Sequence, residues 1–164
     1  RSLMVMGAIV GSDVRICAPK GLWPEIEVQG IAREHAERSG ATITLTEDLD
    51  EGLHGAEFVH TDVWVSMGEP KDVWQSRVRE LMPYQVNAAA LARTGNPGAK
   101  FMHCLPAFHD QHTTVGREVA ELTGASGGLE VTDGVFRSPA NIAFDQAENR
   151  LHTIKALMVA TLKR

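Results

Sequence analysis

Residues 14–45 read VRICAPKGLWPEIEVQGIAREHAERSGATITL, in which two short apolar runs flank a longer amphipathic stretch. The apolar runs, Val14 to Ala18 and Thr42 to Leu45, are bounded by turn residues and predict β-strands. Glu25 to Arg38 spaces its apolar residues as a helix does. A strand, a crossover helix and a second strand form the unit from which parallel sheets are built, so these residues predict an α/β protein.

The same alternation continues along most of the chain. A buried helix is predicted at Arg1 to Gly11. Further helices are predicted at Asp48 to Leu53, Lys71 to Leu81, Val86 to Ala92 and Asp145 to Leu162, and further strands at Phe58 to Val63 and Lys100 to Leu105. We expect a doubly wound, Rossmann-like parallel sheet with helices on both faces and a long C-terminal helix. The apolar stripe of that last helix either closes the local core or reaches a domain outside this chain.

Composition narrows the class of protein. The chain has 164 residues, of which 43% are hydrophobic, and this favours one domain, residues 1–164, with a substantial core. The net charge of -5, with scattered Lys and Arg, disfavours nucleic acid as a partner. The first apolar run, Leu3 to Val10, is far shorter than the roughly 18 residues of a membrane span. Two widely separated cysteines, Cys17 and Cys104, favour reduced thiols and a cytoplasmic location.

Ligands of parallel sheets bind beyond the carboxyl ends of the strands, which directs attention to residues 61–68, TDVWVSMG. Gly68 permits a turn in which backbone groups near Ser66 and Met67 face a ligand. Asp62 suits an ammonium group, and the Ser66 hydroxyl suits a carboxylate. The alternative is that Asp62 merely caps the next helix.

The second such loop follows the strand in residues 101–110, FMHCLPAFHD, and we expect it to converge with the first loop on a shared crevice. Three roles are open for Cys104: a covalent nucleophile, an inert buried thiol, or a polarizable thiol that guides an amine substrate. A zinc site is also conceivable, with ligands drawn from His103, Cys104, His109, Asp110 and His112. Adjacent strand residues point to opposite faces, however, so His103 and Cys104 are poorly placed to share one ion, and we expect no metal.

Two further segments have weaker signals. Arg150 offers donors arranged for bidentate contact with an oxyanion, although a surface pair with Glu148 is the alternative. The glycines between Gly124 and Gly128 follow a predicted helix rather than a strand, which is the wrong context for a dinucleotide fingerprint. We therefore expect no nicotinamide and no other cofactor.

Three segments in this order, DVWVSMG (62–68), HCLPAFHD (103–110) and FDQAENR (144–150), closely resemble ornithine carbamoyltransferases. The resemblance covers essentially the whole chain and corresponds to the second, ornithine-binding domain of that family. The serine-methionine-glycine turn favours ornithine over aspartate, putrescine or acetylated ornithine as the acceptor. Family segments that supply most carbamoyl phosphate contacts, such as serine-x-arginine-threonine-arginine, are missing, and we expect that domain upstream of residue 1.

The resemblance implies a site and a reaction. The implied ornithine-binding residues are Asp62, Ser66 and Met67. The implied carbamoyl-phosphate-binding residues are Cys104, Leu105 and Arg150. Catalysis is implied for Asp62, Cys104 and Arg150, with His103 in support.

The implied reaction moves the carbamoyl group of carbamoyl phosphate to the side-chain amine of L-ornithine, which gives L-citrulline and phosphate. The resemblance further implies a homotrimer for the intact enzyme and an inactive isolated chain. The alternative is a free-standing amino-acid-binding or regulatory module that kept the fold without catalysis.

Overall fold

The computed structural model describes residues 1–64 and 71–162. The chain divides into two compact units, Arg1–His54 and Gly55–Arg164. Each unit contains one pair of parallel strands together with its own helices. The α/β class, the parallel pairing and the long C-terminal helix agree with the prediction.

The first unit follows the predicted order closely. Its elements are α1 (Ser2–Ile9), β1 (Asp13–Cys17), α2 (Ile26–Ser39), β2 (Thr42–Thr46) and α3 (Leu49–Leu53). Strands β1 and β2 pair in parallel, with Asp13 opposite Thr42. Gly40 ends α2 in the left-handed conformation, and the Asp48 carboxylate caps α3 by accepting two backbone N–H groups. The core of this unit combines Met4, Ala8 and Ala32 with Val14, Ile16 and Ile43.

The second unit contains the candidate site. Its elements are β3 (Phe58–Thr61), α4 (Lys71–Leu81), α5 (Ala88–Arg93), β4 (Lys100–His103), α6 (Thr114–Thr123), α7 (Asp133–Phe136) and α8 (Ala143–Leu162). Strands β3 and β4 pair in parallel and in register, from Phe58 opposite Lys100 to Thr61 opposite His103. The segment before α8 runs along β4, where the Ile142 N–H donates to the Phe101 carbonyl. The start of α8 is thereby fixed beside the end of β4.

An aromatic core fills the second unit. Trp64, Trp74, Val78, Val119 and Leu129 are buried together, and α4 packs against α6. The Phe108 ring meets Trp74 edge to face, with ring centroids 6.1 Å apart. The loop that follows Cys104 is therefore anchored in this core by its own aromatic side chain.

The structure corrects two predictions about local structure. Helix α1 is not a wholly buried helix, because it buries Met4 and Ala8 but leaves Leu3 and Met6 more than half exposed. Val86 does not begin a helix: it forms a parallel bridge with Val131, and α5 starts after the Asn87 cap.

Helix α7 is a finding that the sequence pattern did not predict, whereas α6 is the helix that was expected before Gly124. Among the helices of residues 1–64 and 71–162, none is long and apolar enough to cross a membrane.

Candidate active site

The site begins where two paired strands end. Because β3 and β4 are in register at Thr61 and His103, the next residues, Asp62 and Cys104, emerge side by side at the carboxyl edge. The Cys104 thiol donates a hydrogen bond to Asp62 Oδ1 over 2.7 Å, and the Val63 N–H donates to the same oxygen at 2.7 Å. The sequence prediction that the acidic turn and the thiol-bearing strand end converge is therefore met by the geometry.

The Cys104 thiol is held in its protonated form. Partial burial raises the pKa of Cys104 to about 11, and the hydrogen bond to Asp62 and the charge of that carboxylate act in the same direction. A thiol is a weak nucleophile until it ionises, so these surroundings disfavour covalent catalysis by Cys104. They fit a hydrogen-bonding role beside an anionic Asp62.

The backbone turns sharply directly after Cys104. Leu105 has φ 56°, in the left-handed region that non-glycine residues rarely adopt, and the Leu105–Pro106 peptide is cis. The Leu105 N–H donates to Nδ1 of His103 over 2.8 Å. The turn is therefore tied to a side chain on the strand that leads into it.

Buried polar side chains hold the residues on either side of this turn in place. His103 and Glu130 are both fully buried, with His103 Nε2 and Glu130 Oε1 3.3 Å apart. Oε1 of Glu130 also accepts the Phe108 N–H at 2.6 Å. From α8, Gln146 Oε1 accepts the His103 backbone N–H at 3.1 Å.

Sequence reasoning missed Glu130 and Gln146, and it also missed the neighbouring His60. The Gln146 amide nitrogen lies 3.4 Å from His60 Nε2, and burial lowers the pKa of His60. An acidic residue inside the apolar run Leu129 to Val131 was the available signal, because a buried carboxylate requires partners.

The other predicted site residues differ in where, or whether, the structure places them. Ser66 and Met67 lie outside the described residues. Leu105 lies in the left-handed turn directly after Cys104. Arg150 is exposed on α8, and within the described part of the chain no hydrogen bond joins its guanidinium to Asp62 or Cys104. Its alternative partner, Glu148, instead approaches His152 at 3.9 Å.

The histidines considered for zinc divide into separate environments. His103 is buried against Glu130, whereas Cys104 faces Asp62, so the two do not share a site. A different group brings three ligand atoms within 4.8 Å of one another, from His109, Asp110 and Asp133.

The Arg137 guanidinium already contacts a ligand residue of that second group. Its Nε atom contacts both carboxylate oxygens of Asp133, at 2.8 and 2.9 Å. A guanidinium charge at these oxygens opposes the binding of a cation.

Comparison with known proteins places these residues in a family. The family model described as aspartate/ornithine carbamoyltransferase, Asp/Orn binding domain, matches residues 1–161. The catabolic ornithine carbamoyltransferase of Rhizobium meliloti (strain 1021) is 58% identical over 98% of this chain, and the ornithine carbamoyltransferase of Haemophilus influenzae (strain PittGG) is equally similar over the same share.

Solved structures agree with these similarities. The anabolic ornithine carbamoyltransferase of Campylobacter jejuni is 31% identical, with a TM-score of 0.79 over 99% of this chain and 47% of its own. The chain spans 48% of the length of each of the two curated relatives. The match over residues 1–161 shows that the chain belongs to the aspartate/ornithine carbamoyltransferase family and corresponds to its Asp/Orn binding domain.

Proposed function

We propose that this chain is the ornithine-binding half of an ornithine carbamoyltransferase, with residues 1–164 acting as one binding domain. The observation that carries the proposal is 58% identity, over 98% of the chain, to proteins named for that activity. The complete enzyme would transfer the carbamoyl group of carbamoyl phosphate to the side-chain amine of L-ornithine, with L-citrulline and phosphate as products. The second half of the cleft would come from a carbamoyl-phosphate-binding domain.

The Asp62–Cys104 pair supports a specific role for each residue. The side-chain amine of ornithine resembles that of lysine, with an ordinary pKa near about 10.4, so it arrives largely as an ammonium ion. The exposed Asp62 carboxylate provides the opposite charge and a hydrogen-bond acceptor at the strand end. Cys104, protonated at neutral pH, donates its one S–H to that carboxylate, and its sulfur is a weak acceptor for the same ammonium group. We assign the orientation of the reacting amine to this pair.

The carbamoyl group is assigned to the turn after Cys104 and to Arg150. Asp62 accepts one proton from the ammonium group, and the freed amine nitrogen attacks the carbamoyl carbon, whose carbonyl oxygen gains negative charge. The bond to the phosphate oxygen then breaks, and the leaving phosphate takes the second proton from the nitrogen. Leu105 lies in a fixed turn whose backbone can face this group. Arg150, exposed on α8, supplies donors to the developing oxyanion. Ser66 and Met67 are assigned to the amino-acid head of ornithine.

The assembly and compartment are part of the same proposal. The intact enzyme is proposed to be a cytoplasmic homotrimer that requires neither a metal nor an organic cofactor. Exposed apolar side chains on α8 support the proposal that a partner domain packs there. Leu151, Leu157 and Val159 are each more than 60% exposed.

A chimera tests the activity directly. In it, this chain replaces the 161 matching residues of the Rhizobium meliloti relative, and citrulline formation from ornithine and carbamoyl phosphate is measured beside the unmodified relative. We expect turnover, and we expect Asp62→Asn to lower kcat/KM by on the order of a hundredfold. Glu37→Gln, a charge-removing change at an exposed residue of α2, is the matched control and should leave turnover unchanged.

A folded chimera without citrulline would contradict the proposal. Calorimetric titration of the isolated chain with ornithine distinguishes the proposed enzyme half from the alternative, a free-standing binding module. Tight binding without any partner domain would favour a free-standing binding module, because the proposed enzyme completes its cleft only with the second domain.

A further inference from the structure

Glu130 is an ionisable side chain with no exposed surface, in a buried core that is otherwise largely apolar. Its Oε1 atom accepts the Phe108 N–H over 2.6 Å and lies 3.3 Å from His103 Nε2. Removing a carboxylate from water is costly, so a position of this kind requires a specific structural use. Both contacts of Glu130 lead to the residues that border the Cys104–Leu105 turn.

The hydrogen bonds of His103 determine where its proton lies. Nδ1 accepts the Leu105 N–H at 2.8 Å, so Nδ1 carries no hydrogen. A neutral imidazole then has its single N–H at Nε2, which is the nitrogen that faces Glu130. A ring protonated on both nitrogens would direct an N–H at the Leu105 N–H and break the bond that holds the turn.

The carboxylate of Glu130 favours this tautomer by its position. Within the described parts of the chain, neither His103 Nε2 nor Glu130 Oε2 has a hydrogen-bond partner. Glu130 Oε1, 3.3 Å from Nε2, is therefore the nearest oxygen toward which an Nε2–H can point. Without this oxygen, the tautomer in which Nδ1 is unprotonated and can accept the Leu105 N–H is less favoured.

We propose that Glu130 is a positioning residue for carbamoyl transfer, which it serves by selecting the Nε2–H tautomer of His103 and by holding the Phe108 N–H. The inference rests on the proposed function. Leu105 has φ 56°, a conformation that persists only where its surroundings hold it. The His103 bond at Leu105 and the Glu130 bond at Phe108 hold the turn on both sides and keep Cys104 directed at Asp62.

The wild-type chain provides the first test. Nitrogen-15 NMR distinguishes protonated from unprotonated imidazole nitrogens, and comparison with His103→Asn assigns the His103 signals among the seven histidines. We expect an unprotonated Nδ1 and a protonated Nε2 at neutral pH. An Nδ1–H tautomer, or a doubly protonated ring, would overturn the inference whatever the variants do.

Two variants of Glu130 provide the second test. Glu130→Gln keeps an oxygen for the Phe108 N–H, whereas Glu130→Leu removes every acceptor at similar size. In the chimera, we expect Glu130→Leu to lower kcat by on the order of ten- to a hundredfold with a smaller change in KM for ornithine. Glu130→Gln should stay close to the wild-type kcat and keep the wild-type tautomer.

The outcomes separate this inference from the proposed function. A folded Glu130→Leu protein with an unchanged tautomer and kcat contradicts the positioning role. If Glu130→Leu does not fold, loss of kcat in Glu130→Gln with its fold and tautomer intact contradicts it instead. If the wild-type chimera makes no citrulline, the proposed activity fails, and the His103 tautomer in the wild-type chain still decides whether Glu130 acts on the ring.

Discussion

The Cys104 thiol donates its hydrogen bond to Asp62 Oδ1 across 2.7 Å, between two residues that directly follow neighbouring parallel strands. The pair weighs against two of the three roles that the sequence left open for Cys104. An inert buried thiol does not fit an exposed residue, and a thiolate nucleophile does not fit a pKa raised to about 11. A neutral thiol beside an anionic carboxylate remains.

Thiol alkylation should report this arrangement. With a pKa of about 11, Cys104 is ionised at pH 7 only to about one part in ten thousand, so iodoacetamide should react slowly. The rate should rise tenfold per pH unit until the pH approaches that pKa. Burial is the largest cause of the raised pKa, and the Asp62 carboxylate adds to it; Asp62→Asn removes the second contribution and should therefore accelerate alkylation at pH 8.

A Cys17→Ser background makes the measurement specific, because the chain has two cysteines. The introduced serine hydroxyl would keep a donor for the Asp48 carbonyl that the Cys17 thiol contacts. Rapid alkylation of Cys104 at pH 7, or an Asp62→Asn protein that reacts no faster, would show that the carboxylate does not control this thiol.

Burial of Phe101 should matter more to stability than any surface aromatic. Phe101 has no exposed area and meets Phe136 edge to face, with ring centroids 6.5 Å apart. Phe101→Ala should lower the free energy of unfolding by about 3–5 kcal/mol, as measured by urea denaturation. Phe58→Ala, at an exposed position of β3, is the matched control and should cost less than about 1 kcal/mol. Equal losses would mean that Phe101 is not a core residue.

The strand and helix pattern predicted much of the fold because its signals are local. The predicted helix Lys71 to Leu81 matches α4, and the predicted strand Thr42 to Leu45 differs from β2 by one residue. The position of Asp62 beside Cys104 also followed from the sequence, since carboxyl ends of parallel strands share one edge.

The contact between Glu130 and His103, next to the site, could not be predicted from such local patterns. Glu130 and His103 are 27 positions apart, and their contact depends on how the chain returns after α6. A helix before Gly124 was expected, but its bounds were not predicted. In the structure, α6 follows the Thr113 N-cap, whose side chain accepts the Gly116 N–H, and ends at Gly124. Val115, Val119 and Leu122 give α6 an apolar face at helical spacing, whereas its packing against α4 is a tertiary effect.

The glycines that follow α6 should respond very differently to substitution. Gly124 and Gly128 both have positive φ, but a Cβ on Gly124 would meet nothing within 4 Å, whereas one on Gly128 would lie 2.3 Å from the Val131 carbonyl oxygen. Gly124→Ala should cost about 1 kcal/mol from its backbone conformation alone. Gly128→Ala should cost at least about 3 kcal/mol and displace the neighbouring Glu130.

Thermal unfolding of the two glycine variants checks this difference. Nitrogen-15 spectra of Gly128→Ala should also show changed Leu105 and Phe108 amide signals, because both lie in the turn that Glu130 supports. Similar stability for the two variants would contradict the close packing at Gly128.

The exposed apolar face of α8 should matter for assembly rather than for stability of the isolated chain. Leu151 and Met158 are 65% and 53% exposed, so replacing both with Glu removes few contacts within this chain. We expect Leu151→Glu/Met158→Glu to change the free energy of unfolding of the chain by less than about 1 kcal/mol. In the chimera, the same pair should strongly reduce citrulline formation, because two charges would be placed where a partner domain is proposed to pack. Hydrogen exchange of the isolated chain should show α8 amides near Met158 exchanging much faster than those of β4; full protection along α8 in a monomer would contradict an unpartnered face.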